Sequence, residues 1–269
     1  MPPKRTKSTS SAEDTPAYTH WLIKAEPESR IEKGVDVKFS IDDLEEGKTT
    51  SWEGVRNHEA KKYLKQQMKV GHLCLFYASN CKVPGVSGIA RVIKEGYPDH
   101  NAWDPKHPYY DPKSKKEDPT WFMVDVEFVS KLPHLVPLSL LQLLPSAPSD
   151  LPASLSYLTA SHLNAIKASH LLTRGRLSVQ PASDEFFEAC RTMGEKGGWE
   201  AGDGAEWYAK ALKEKKSGKA AAKGGAKGKA KGKKVTEEEE SAEEQKQEEL
   251  TEEDEEDGGK RRSKRARKG

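Results

Sequence analysis

Residues 51–57 combine groups that suit the binding of a nucleobase. Trp52 offers a flat ring, and Gly54 lets the backbone approach another group closely. Arg56 carries a planar charged fork and Asn57 supplies a donor and an acceptor, with Val55 between the glycine and the arginine. An extruded base needs an aromatic wall and polar atoms at its edge. The stretch therefore predicts a base-binding turn, although an isolated Trp is more often a core residue.

A second candidate group follows an apolar run at residues 73–77. Strand alternation places Tyr77 and Ser79 on the same face, and Asn80 comes directly after them. We expect these three side chains to line the mouth of a pocket. The alternative is that Ser79 and Asn80 only turn the chain, which short polar residues do well.

Charged residues after other predicted elements complete the candidate site. Lys24 and Glu26 follow the first apolar run, and a carboxylate there is suited to accept the exocyclic amine of cytosine. The two residues also fit a surface ion pair worth less than about 1 kcal/mol. Arg174 and Arg176 are expected to contact phosphates or, equally, to be cations at the end of a helix.

The stretch from 96 to 119 is a long loop rich in Pro, Asp and aromatic residues. Loops of this length inside a domain are usually functional, and we interpret this one as a flexible lid over a nucleotide. Its His100, Asp104, His107 and Asp111 match no familiar ligand spacing, so we expect neither a metal site nor a cofactor.

No pairing of a nucleophile with a base indicates an enzyme. Cys81 and the histidines lack the surroundings of a known catalytic motif. A base-excising hydrolase that uses Glu26 or Asp99 is conceivable, but no motif supports it. We therefore expect a binding protein without catalysis.

Hydrophobic periodicity predicts short strands mixed with short helices. Strands are expected at residues 21–23, 73–77, 86–94, 122–128 and 177–179, and helices at 40–47, 57–68, 138–144, 161–172 and 183–193. Because these elements do not alternate as in a doubly wound sheet, they indicate an α+β fold with a mixed sheet or a small barrel.

The composition divides the 269 residues into three parts. Residues 1–17 form a polar lead predicted to be disordered, residues 18–195 a folded domain, and residues 196–269 a low-complexity charged tail. That tail contains ten Lys against one Glu in residues 213–234, fourteen Asp or Glu against one Lys in 235–257, and seven Lys or Arg in 258–269. Its basic block is typical of arms that neutralise phosphates, and its acidic block suits histones or other cationic partners.

The chain ends in a basic cluster that predicts nuclear import. Its members are Lys260, Arg261, Arg262, Lys264, Arg265, Arg267 and Lys268. No apolar run approaches the roughly 20 residues of a membrane span, and three cysteines without metal spacing indicate reduced thiols. We expect a soluble nuclear monomer with no membrane partner.

Six blocks in order together resemble the EVE domain family. They read YTHWLIKAEPES (18–29), WEGVRN (52–57), FYASNC (76–81), EGYPD (95–99), WFMVDV (121–126) and RLSVQP (176–181). The resemblance implies a PUA-like β-barrel with flanking helices, and binding of DNA with a modified cytosine in preference to RNA, without established catalysis. It also singles out Tyr97 and Asp99.

Together these observations give a hypothesis in which one flipped, modified pyrimidine enters a pocket. Trp52 and Tyr77 are expected to stack on the base. The predicted readers of its edge are Glu26, Asn57, Ser79 and Asp99, and the predicted phosphate contacts are Lys24, Arg56 and Arg174. The alternative is a chromatin adaptor, similar to a histone chaperone, that acts through its charged tail.

Overall fold

Two buried apolar strands, β1 (His20–Ala25) and β5 (Leu73–Ala78), pair in parallel at the centre of a sheet. Strands covered on both faces consist of continuous apolar runs, which explains why these two were predictable. The computed structural model describes residues 18–146 and 150–224. The predicted disordered lead, the acidic block and the basic cluster at 260–268 lie outside the described residues.

Six strands form the main sheet, in the order β4, β7, β6, β5, β1, β8. The remaining four are β4 (Thr49–Trp52), β6 (Gly85–Pro98), β7 (Phe122–Pro137) and β8 (Val179–Ala182). All pairs except β1 with β5 are antiparallel. A separate small hairpin joins β2 (Ile31–Glu32) to β3 (Val35–Asp36).

The fold is therefore α+β with a large mixed sheet, as the sequence predicts. The predicted barrel is not closed among the described strands. The strands β4 and β8 are the two edges of the sheet and are not paired with each other. The strand β4 and the small hairpin had no counterpart in the predicted elements.

Seven α-helices accompany the sheet in the described residues: α1 (Ile41–Gly47), α2 (His58–Lys62), α3 (Leu138–Leu143), α4 (Ala160–Ala168), α5 (His170–Thr173), α6 (Asp184–Lys196) and α7 (Gly202–Gly224). Several of these helices have the N-terminal capping side chains that the sequence predicts. Ser40 and Asp43 form a capping box at α1, and Asn57 accepts from two backbone amides of α2. A π-helical turn, Tyr63–Gln67, continues α2.

Alternation along the central strands divides the core between the two faces of the sheet. Leu22 and Tyr77 belong to one apolar cluster, which α4 and α6 cover. Trp21 and Phe76 belong to the other cluster, together with Trp52 of β4. Neighbouring residues of one strand point to opposite faces, so the two clusters follow directly from the strand period of two.

Packing continues beyond residue 195, where the predicted domain ends. Trp199 is buried in the first cluster, and the Tyr208 hydroxyl hydrogen-bonds Ser139 at 2.6 Å. The described residues as far as Ser217 belong to one compact unit. Within the described helices, none has the length and apolar character needed to cross a membrane.

Candidate functional site

A cavity of about 770 Å³ lies where β1 and β5 end. Its walls come from the ends of these strands and from loops, namely residues 24–26, 30, 35–39, 50–55, 79–80, 104, 106–109, 175–176 and 178. Because β4 and the segment before β8 belong to opposite edges of the sheet yet line the same cavity, the sheet curls around it. The volume falls within the range of roughly 300–1,000 Å³ that ligand pockets occupy.

Tyr109 lies directly against the backbone of Gly54. A Cβ atom on Gly54 would stand only 2.4 Å from Cδ2 of the tyrosine ring, and Gly54 has a φ of +74°. Only glycine adopts this conformation without cost and leaves room for the ring. The predicted close approach at Gly54 is therefore made by a side chain of the protein itself, 55 positions further along the chain.

An ion pair between Arg56 and Asp99 fixes the same wall. Arg56 Nη1 donates to Asp99 Oδ2 at 2.7 Å, and its Nε donates to the Tyr109 carbonyl oxygen at 2.9 Å. The carboxylate of Asp99 is completely buried and also accepts from the Gly54 amide at 3.0 Å. A buried charge requires such partners. Arg56 and Asp99 therefore bind each other and hold the wall in position. The sequence instead predicts that Arg56 contacts a phosphate and that Asp99 contacts the base edge.

Trp52 lines the cavity but is almost buried, with 7% of its surface exposed. Its ring meets Phe76 edge-on at 5.7 Å and Phe39 at 6.3 Å. Tyr77 is 3% exposed in the other cluster, on the opposite face of the sheet from Phe76. Trp52 and Tyr77 therefore do not face each other, which corrects the predicted pair of stacking surfaces.

The polar end of the cavity is organised around Glu26. Arg30 Nε donates to Glu26 Oε2 at 2.7 Å, and Asn80 Nδ2 donates to Oε1 at 3.0 Å. Asn80 has a φ of +49°, so the chain turns sharply after β5. This turn, with the Ser79 hydroxyl donating to the Ala25 carbonyl oxygen, takes Ser79 to the cavity and away from the face of Tyr77.

Lys24 does not pair with Glu26. Its ammonium donates to the carbonyl oxygen of Gly175 and lies 5.6 Å from the centre of the Tyr77 ring. Burial lowers the pKa of Lys24. The residue therefore ties the end of β1 to the segment before β8, inside the cavity wall.

The remaining predicted residues stand away from the cavity with other partners. Asn57 caps α2, the Tyr97 hydroxyl donates to Asp125, and Arg174 donates both terminal nitrogens to Glu59. The cavity brings together eight of the predicted residues: Lys24, Glu26, Trp52, Gly54, Val55, Ser79, Asn80 and Arg176. It does not include Arg56, Asn57, Tyr77, Tyr97, Asp99 or Arg174.

The predicted lid is a folded wall. Asp99 caps a 3₁₀ turn, His100–Trp103, and Trp103 Nε1 donates to Ser114 Oγ at 3.2 Å. His107 Nε2 lies 3.1 Å from Glu53 Oε1. Among residues 18–146 and 150–224 no three acidic, His or Cys side chains gather as metal ligands.

Several cavity residues had not been singled out from the sequence. They are Arg30, Lys38 and Phe39 from the loop before α1, and Lys106 and Tyr109 from the long loop. The aromatic content of the long loop was a signal for Tyr109, but no pattern distinguishes it from its neighbour Tyr110. The loop before α1 carried no signal of its own.

The region that forms the cavity is similar in sequence to known proteins. The EVE domain model matches residues 19–193. The chain is 44% identical over 202 residues to thymocyte nuclear protein 1 of Gallus gallus, covering 72% of this chain and 76% of that protein. It is also 44% identical to the Homo sapiens protein of that name over 182 residues, covering 66% and 75%.

Solved structures are similar over the same region. A crystal structure of human THYN1 in complex with DNA containing 5-methylcytosine is 45% identical, with a TM-score of 0.57, and the match covers 66% of this chain and 98% of that chain. A hypothetical protein from Leishmania major is 37% identical with a TM-score of 0.52, covering 65% and 93%.

Proposed function

Since this chain belongs to the EVE domain family, we propose that it binds DNA carrying a modified cytosine and accepts that base, flipped out of the duplex, in the cavity at the ends of β1 and β5. The observation that supports this most is the likeness to the human THYN1 structure with 5-methylcytosine DNA, at 45% identity over nearly all of that chain. The cavity supplies the space that such a base requires.

Trp52 and Tyr109 are the proposed walls for the base. Both line the cavity, and each is fixed, Trp52 by its contacts with Phe39 and Phe76 and Tyr109 by Gly54 and Arg56. A fixed ring loses little freedom when a base stacks on it, and stacking contributes about 1–3 kcal/mol per base. Tyr109 thus takes the role that the sequence suggested for Tyr77.

Glu26 is the proposed reader of the base edge. A carboxylate accepts the exocyclic amine of cytosine, and Arg30 with Asn80 holds this one in place at the cavity. Ser79 and Asn80 stand beside it as further polar groups. Lys38, Lys106 and Arg176 at the other walls are the proposed contacts to the flanking phosphates, which fix register without reading sequence.

The wider context of the protein is part of the same proposal. We infer a nuclear, monomeric binding protein without catalysis, whose curled sheet serves as the barrel of PUA-like modules. Nuclear residence is supported by the basic cluster at 260–268 and by the names of the similar proteins. A chromatin adaptor that acts through the alternating basic and acidic blocks of residues 213–269 is the second candidate, favoured by that charge pattern alone.

Titration of the full chain with two duplexes that differ only in one 5-methyl group tests the proposal. We expect tighter binding of the methylated duplex, and we expect Glu26→Gln to remove about 1–3 kcal/mol of binding free energy from it. Glu46→Gln, at an exposed carboxylate of α1, is the control. Equal affinities of the wild-type chain for the two duplexes would refute modified-base binding, while binding lost only on deletion of residues 225–269 would favour the adaptor.

A further inference from the structure

Three lysines stand over aromatic rings on the face formed by α2, the π-helical turn and the adjoining ends of β6 and β7. We call this set the basic-aromatic strip. Its pairs are Lys61 with Trp121 at 5.6 Å from ammonium nitrogen to ring centre, Lys65 with Phe122 at 4.3 Å, and Lys94 with Tyr97 at 3.5 Å. These distances are in the range of cation–π attraction, which holds each ammonium over its ring.

A close backbone approach brings the two halves of the strip together. Gly96 of β6 lies so near the π-helical turn that a Cβ atom there would stand 2.3 Å from the Leu64 carbonyl oxygen. Phe122 is paired with Pro98 two residues further along β6. Because the strand passes this close to the helical turn, Lys65 reaches over the ring of Phe122.

The charge of the strip is only partly compensated. Within the part of the chain that the structure describes, neither Lys61 nor Lys65 is paired with a carboxylate, while Lys94 lies 3.7 Å from Asp125. Exposed Lys62 adds a further positive charge. Two other acids are nearby: Glu95 is paired with Lys69 at 2.8 Å, and Asp111 accepts a hydrogen bond from Trp121 Nε1. The face therefore presents an excess of fixed positive charge to an incoming anion.

The strip adjoins the cavity wall through one ring. The guanidinium carbon of Arg56 lies 5.6 Å from the centre of Trp121, the same ring that carries Lys61. Arg56 in turn donates to the Tyr109 carbonyl oxygen in that wall. Trp121 thus connects Lys61 of the strip to Arg56 beside the cavity wall.

We propose that the basic-aromatic strip binds backbone phosphates of the duplex on one side of the flipped base. This inference rests on the proposed function, since it assumes that the cavity holds a base of that duplex. Rings covered by lysines are not free to stack on bases, so the strip suits phosphates, which are bound without regard to sequence. Ammonium groups already held over rings also lose less freedom on binding than free ones do.

The salt dependence of DNA binding by the full chain measures how many phosphates the basic-aromatic strip contacts. Each phosphate contact contributes about 0.9 to the slope of log K against log salt concentration. The triple variant Lys61→Gln, Lys65→Gln, Lys94→Gln is therefore expected to reduce the magnitude of the slope by about 2 to 3 between roughly 50 and 200 mM salt. Its preference for the methylated over the unmethylated duplex is expected to persist.

The control is the triple variant Lys131→Gln, Lys167→Gln, Lys196→Gln. It matches the test set because Lys131 is ion-paired with Asp42, Lys196 stands 5.2 Å from the centre of a tyrosine ring, and Lys167 is exposed on α4. We expect its slope to equal that of the wild type. Thermal unfolding of both variants confirms that each is folded.

The strip and the proposed function fail in different ways. A slope in the test variant equal to that of the control would overturn the strip. Equal affinity of the wild type for methylated and unmethylated duplexes would remove the base-binding proposal, yet a reduced slope in the test variant would still support phosphate binding by these lysines.

Discussion

Arg56 and Asp99, 43 positions apart, form an ion pair in which the carboxylate is completely buried while the guanidinium remains partly exposed. The pair joins the turn that follows Trp52 at the end of β4 to the loop after β6, which carries Tyr109. A binding site built from loops requires such a support, because loops are otherwise the more mobile parts of a protein.

Loss of the arginine is expected to destabilise the protein strongly. Arg56→Met keeps most of the side-chain stem but leaves the buried Asp99 carboxylate without its cation, which costs about 3 kcal/mol or more in similar cases. Arg91→Met is the matched control, since Arg91 forms an exposed pair with Glu127 that contributes less than about 1 kcal/mol. Urea unfolding measures both, and similar free energies of unfolding for the two variants would contradict a supporting role of the buried pair.

Gly54→Ala is expected to displace Tyr109 in addition to straining the backbone. The positive φ costs any residue with a Cβ atom roughly 1–2 kcal/mol, and here the Cβ atom also collides with the tyrosine ring. Gly71→Ala is the control, since Gly71 has a φ of +90° and nothing within 4 Å of its Cβ position. In duplex titrations, only the Gly54 variant is expected to lose preference for the methylated DNA; an equal loss in both would count against the contact.

Tyr109→Ala tests the aromatic wall itself. Loss of one stacking surface removes about 1–3 kcal/mol, which corresponds to about a fivefold to 150-fold weaker Kd for the methylated duplex. Tyr110→Ala, the next residue, is the control because Tyr110 is partly buried as well but lies outside the cavity. Fluorescence anisotropy with a labelled duplex gives the Kd of both variants. A loss of affinity in Tyr110→Ala as large as that in Tyr109→Ala would contradict Tyr109 as the stacking surface.

The Glu59 carboxylate should give the protein an acid-dependent share of its stability. The hydrogen bond from Tyr63 and the Arg174 guanidinium lower the pKa of Glu59 below its ordinary 4.5. A lowered pKa contributes stability that is present above 4.5 and is lost as the pH falls through the folded-state value.

Glu59→Gln is therefore expected to be less stable than the wild type at neutral pH, with the two curves of unfolding free energy converging in acid. Glu45→Gln on α1 serves as the control and should follow the wild-type curve throughout. A constant gap between Glu59→Gln and wild type at every pH would contradict a contribution from the ionised Glu59 carboxylate.

The sequence predicts the central strands well because their signal is local. Continuous apolar runs specify β1 and β5, and the cap at Asn57 marks the start of α2. The strand order of the sheet and the packing of Trp199 depend on contacts between distant segments, and no short window of residues contains that information.

For the site, the sequence identifies polar candidates but not their partners. Strand alternation extended to Ser79 predicts that Tyr77 faces the cavity, yet the strand ends at Ala78 and Asn80 reverses the chain. Tyr109 was indistinguishable from its neighbours because its position depends on Gly54, far away along the chain. Residue type therefore gives candidate polar and aromatic groups, and only the fold determines which side chains meet.

A crystal structure of this chain with a duplex containing one 5-methylcytosine tests most directly whether the cavity holds a flipped base. We expect the modified base to lie outside the helix, between Trp52 and Tyr109, with its exocyclic amine within hydrogen-bonding distance of Glu26. A methylated base still stacked in the duplex, with the cavity free of any nucleotide, would contradict it.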